Sequence, residues 1–207
     1  MTSDLDTARD DLAFMRALVQ SGDDGQKQFG ETYFAAGLIY GGEMLMHAAQ
    51  ARGWLPGTDL PALAIGLGPT VLFLVVMGFI LARHRRLRPS GVVGRAIGSA
   101  FGAAGMSNLA LIAVIGAVAW REHSATTWLI YPCAVFVLQG AAWLVAALMR
   151  RRAWMGLVAL GWFASAIAMA INVQAPAYYV LFAGLGLLGC MLAPGAVMMR
   201  LASRRPA

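Results

Sequence analysis

Charged side chains are scarce in this sequence: Asp, Glu, Lys and Arg make up 13% of its 207 residues, against about a quarter in ordinary soluble chains. With 59% hydrophobic residues and a mean hydropathy of +0.67, that scarcity excludes a soluble globular domain. Lysine is nearly missing, with Lys27 alone beside fifteen arginines, and together with abundant Ala and Gly this hints at GC-rich bacterial coding. Cysteine is limited to Cys133 and Cys190. The expected spans place these two roughly 10 Å apart in depth, beyond disulfide reach, so both read as small core residues. Histidine occurs three times, without HExxH or a paired CxxC, and neither a metal site nor a haem or other cofactor is expected. GxSxG, a phosphate-binding glycine loop and paired aspartates within the apolar runs are missing too, so no catalytic constellation is expected. The first thirty residues lack the basic start and short apolar run of a cleavable signal. The first span is therefore expected to act as its own insertion signal.

What is abundant is apolar sequence in lengths that match a bilayer. Six stretches, at about 32–50, 60–82, 96–120, 128–149, 153–173 and 177–199, each approach the roughly 20 residues needed to cross it. The expected fold is an all-α integral membrane protein: six transmembrane helices over residues 31–200, a cytoplasmic amphipathic helix and linker over 1–30, and a basic tail over 201–207. Orientation follows from the arginines. Of the sixteen Lys and Arg residues, all but Arg52 and Arg121 fall on one side of a six-span arrangement. By the positive-inside rule both termini are cytoplasmic, in a bacterial inner membrane. Five spans would break that pattern. Trp54, Trp120, Trp128, Tyr131, Tyr178 and Tyr179 fall near the opposite interface, where amphipathic rings settle. The net charge of +6 thus reads as a topology signal, not a nucleic-acid surface.

Before the first span, Leu5, Ala8, Leu12, Met15 and Val19 recur at helical spacing. Ser3 with Asp6 makes a weak capping box, and Asp4, Asp6, Asp10 and Asp11 suit a helix start. Ser21–Gly22–Asp23–Asp24–Gly25 is expected to end this helix with a turn. Its acidic face disfavours anionic lipid, which leaves the cytoplasmic ends of the bundle, or a protein partner, for it to lie against.

The first span is the one with ionisable groups at membrane depth. Tyr33, Tyr40, Glu43, His47 and Gln50 follow one another at steps of seven, three, four and three, returning to one helical face. A carboxyl at the depth of Glu43 costs a few kcal/mol unless it is paired, protonated or turned to a polar interior, so it is a functional candidate by default. His47, one turn on, is placed to share its proton. Asn108 and Gln139, on the third and fourth spans, are the expected polar partners, and such residues more often join helices than bind ligands.

Gly94, Gly98 and Gly102 form two consecutive GxxxG steps at the start of the third span, and Gly105 continues their face. That stripe is expected to pack against another helix, inside the monomer before a homo-oligomer. Pro69 and Pro194 do not fall at matching positions of two inverted halves, as they would in a repeat-built transporter, so they read as kinks.

Two function classes remain. The first is a non-enzymatic regulatory or accessory membrane protein with the bilayer and a protein as partners. The second is a small proton-linked transporter or permease using Glu43 and His47. The plan, an acidic helix ahead of six short-looped spans, resembles that of six-span anti-sigma factors, none of whose motifs is present.

Overall fold

A computed structural model of the chain describes residues 2–55, 59–84 and 92–203, with side chains over 26–55, 68–84 and 93–203. Among the described residues there is no strand, and almost every one is helical. Helix α1 runs Thr2–Ala51, α2 Asp59–Arg83, α3 Val92–Glu122, α4 Ala125–Trp128, α5 Ile130–Arg150 and α6 Ala153–Ile171. The last rod is α7, Pro176–Leu187, a π-helical turn, Leu188–Leu192, and α8, Ala193–Ser203. Apolar runs of this composition have no other way to satisfy their backbone N–H and C=O groups in lipid. Among the described residues, four helices are long and apolar enough to cross a membrane: Val93–Glu122, Ala125–Arg150, Ala153–Ile171 and Pro176–Ser203. They fit a membrane-embedded protein. The described apolar part of α2, Gly68–Arg83, is shorter, and polar residues interrupt the span within α1.

The expected break between an N-terminal helix and the first span is not there. Residues 21–25 are helical, and α1 continues through them for 50 residues. No proline occurs in this stretch, and two glycines cost a helix only about 1 kcal/mol each. The amphipathic stripe of residues 5–19, with whatever it packs on, lies outside the described side chains. So do the basic loop at 85–91 and the tail beyond Ser203.

Helix α1 is central. It packs on α2 on one side and on α7, the π turn and α8 on the other, while α6 joins α7, α5 joins α6 and α3 joins α5. The core lies between α1 and the last three rods, around Trp143, Ala159, Trp162 and Met169, all at most 1% exposed. Helix α2 rests on α1 with Val71, Leu72, Leu74, Val75 and Phe79 exposed, as suits side chains facing lipid.

The closest helix–helix approach is between α1 and the last rod. A Cβ on Gly37 would collide with the backbone of Leu192, and one on Gly195 would stand 2.5 Å from the Phe34 amide nitrogen. Pro194 explains the neighbouring π turn. Proline has no N–H to give the previous turn, and its ring crowds the carbonyl four residues back. One extra residue in the turn, with the Ala193 amide bonded to Leu188 O, relieves that conflict.

The glycine stripe of α3 behaves differently from its expectation. Among the described residues, Gly98, Gly102 and Gly105 have nothing within 4 Å of where a Cβ would sit. Small residues permit a close approach but do not bring a neighbour. Ile97, Phe101 and Ala104, which lie between the glycines on this helix, are the ones turned inward.

Candidate polar site on the long first helix

Glu43 is 9% exposed, the one buried acidic side chain among the described residues. It follows from the helical spacing that His47 lies one turn above it. His47 Nε2 stands 3.8 Å from Glu43 Oε1, and its Nδ1 lies 3.2 Å from Gln50 Oε1. Three polar groups thus climb one face of α1 over two turns. The distance to Glu43 is longer than a hydrogen bond, so this contact is electrostatic. Tyr40, one turn below, turns to α2: its ring packs on Phe73 at 5.3 Å and its hydroxyl pairs with Thr70.

The other expected partners are engaged elsewhere. Gln139 Oε1 accepts from the Tyr33 hydroxyl at 2.7 Å, and that hydroxyl in turn accepts from Trp143 Nε1 at 2.9 Å. This chain sews α1 to α5 across the core. Asn108 Oδ1 accepts from the Tyr131 hydroxyl at 2.7 Å, which joins α3 to α5. Sequence spacing could place Gln139 and Asn108 at the right depth, yet the azimuth of each helix decided which residue they meet. Tyr33 lies on the face shared with Glu43 but, ten residues earlier, it meets a different neighbour.

Two features were not anticipated. Glu31 Oε2 and His84 Nε2 are 2.9 Å apart, with side chains only 17% and 12% exposed. They join the middle of α1 to the end of α2. His84 reads from sequence as part of a basic loop, and only the packing of α2 on α1 brings it to a carboxylate. The second is an aromatic cluster at the arginine-rich end. Phe29, Tyr33, Phe101 and Trp143 have ring centroids 4.8–6.5 Å apart, and Trp154 joins Trp143 at 5.8 Å. These rings come from α1, α3, α5 and α6, and no periodicity within one helix could connect them. A cavity of about 180 Å³ opens beside them.

Among the described residues no three His, Cys, Asp or Glu side chains gather as metal ligands. Cys133 and Cys190 are unbridged. No protein-family model, curated protein or solved structure matches this chain.

Proposed function

We propose that this chain is a six-span protein of the bacterial inner membrane, with both termini cytoplasmic, that acts through protein contacts and not through catalysis or transport. The observation that carries the reading is the enclosure of Glu43. A carrier must bring water or substrate to its proton-binding carboxyl, whereas this one is 9% exposed and lines neither of the two cavities described. Five other polar groups of the helices, at Tyr33, Gln139, Trp143, Tyr131 and Asn108, are engaged in bonds between helices, the usual role of such residues in a bundle. The acidic residues Asp4, Asp6, Asp10 and Asp11 near the N-terminus would suit a partner of basic charge.

The six-span topology draws support from charge and from aromatics. Arg52 packs over Trp54 and Tyr178 at 5.4 and 5.6 Å, and Trp128 stacks on Tyr131 at 5.2 Å. These groups belong to the end opposite the arginine clusters, as an aromatic belt would.

Proton flux into liposomes under an imposed pH gradient tests the function. The wild-type protein and Glu43→Gln should both match empty liposomes. Flux in the wild type that Glu43→Gln abolishes would establish the transporter reading instead. Cysteines at positions 52, 124 and 174 should label from outside and those at 86 and 151 should not; external labelling at 151 would overturn six spans.

A further inference from the structure

Helix α2 is held by α1. Phe73 packs on Tyr40 and Met77 touches Thr32, both soft contacts that a small shift of the helix would loosen. At the arginine-rich end His84 follows the last turn of α2, and its amide still bonds to Ile80 O at 3.0 Å. The helix therefore carries this residue with it. His84 Nε2 stands 2.9 Å from Glu31 Oε2, and both side chains are largely withdrawn from solvent. Among the described residues this is the one ion pair that joins two helices, since His47 and Glu43 both belong to α1. Arg85, Arg86 and Arg88 come next in the sequence, so the pair sits where the chain enters its most basic loop.

Histidine ordinarily changes charge between about pH 5 and 8, a range in which glutamate is ionised. The other charged groups near this level are cations. Lys27 lies one turn before Glu31 on α1, Arg83 stands beside His84 on α2, and α8, on the far side of α1, carries Arg200. Arg85, Arg86 and Arg88 lie outside the described residues. All of these keep their charge through that range, which leaves His84 as the group that changes. We propose that Glu31 and His84 form a pH-sensitive clasp: protonated His84 holds the arginine-rich end of α2 against α1, and neutral His84 lets that end move away. Neutral imidazole can still donate from Nε2, but a bond between two ionised groups is roughly twice as strong as a neutral one, and partial burial protects it from screening by salt. The clasp goes beyond the proposed function and stands whether or not Glu43 carries protons.

The distance between α2 and the bundle makes the test. Spin labels are placed at Leu81 and Leu148, both exposed, in a chain whose Cys133 and Cys190 are replaced by alanine. Their separation is measured by pulsed electron paramagnetic resonance in lipid nanodiscs, at about pH 6 and about pH 8.5, either side of the histidine range. The ratio of longer to shorter distances should rise about fivefold to tenfold at the higher pH, the scale of losing one charge-assisted contact. His84→Gln and Glu31→Gln should each give one distribution at both pH values. Glu43→Gln, which breaks the pair within α1, should keep the full response. A parent with the same distribution at both pH values overturns the clasp. So does a response that survives Glu31→Gln or His84→Gln, and so does one that Glu43→Gln abolishes, which would place the switch at Glu43 and His47. Should His84→Gln fail to fold, Glu31→Gln decides alone, and an unchanged pH response in it refutes the proposal.

Discussion

Replacing Gly195 by alanine puts one methyl group into the close crossing of α1 and α8. Its Cβ would stand 2.5 Å from the Phe34 amide nitrogen and 2.8 Å from both Gly30 O and Phe34 Cα. Carbon atoms prefer about 3.5–4.0 Å, so the shortfall is about 1 Å. The obstructing atoms are all backbone, and no side chain can rotate away. Helix α8 must therefore shift from α1 by a comparable amount. A gap of 0.5–1 Å forfeits roughly a quarter to a half of each flanking dispersion contact, including those of Met198 and Ala36, now 4% and 3% exposed. Overpacking of this kind costs about 1–3 kcal/mol. Alanine recovers up to about 1 kcal/mol through helix propensity, leaving a net loss of up to about 2 kcal/mol. Gly37→Ala, which meets the Leu192 backbone, should behave alike. Gly98→Ala and Gly105→Ala have open space and should gain stability by up to about 1 kcal/mol. Equilibrium unfolding in detergent separates the two pairs. If Gly195→Ala and Gly37→Ala are as stable as the parent, the α1–α8 crossing does not pack as closely as described here.

Tyr33→Phe removes the hydroxyl that both receives the Trp143 N–H and donates to Gln139. It should destabilise by about 1–2 kcal/mol in the same unfolding assay, and an unchanged midpoint would show those bonds to be dispensable. His84→Leu leaves the Glu31 carboxylate, 17% exposed, without its cross-helix partner. Thr32 and Met77 touch at 3.9 Å, so disulfide formation between cysteines placed there should fall when His84 is lost; equal cross-linking would mean that α2 is held by apolar contact alone. At Glu43, glutamine should preserve stability and leucine should lower it, since the leucine variant leaves His47 facing an apolar neighbour. If both melt alike, the 3.8 Å contact with His47 contributes nothing.

The helical class and the lengths of the apolar runs follow from sequence alone, because each depends on composition counted along one dimension. The contact of Glu43 with His47 was legible for the same reason, being fixed by spacing on a single helix. What tertiary structure decided is which faces meet. Gly94, Gly98, Gly102 and Gly105 carry the motif expected of a packed interface, but the inward residues of α3 are the larger ones between them. The close glycine contacts instead sit at Gly37 and Gly195, which are 158 residues apart in the chain and share no local pattern. Gln139 and Asn108 were recognisable as bonding residues but not by partner, since a helix may turn about its axis without any change in sequence or depth. The turn expected at residues 21–25 reflects local preferences of about 1 kcal/mol per glycine, too small to end a helix that has no proline. Local chemistry sets what each helix is, and the rotation of one helix against the next sets what its side chains touch.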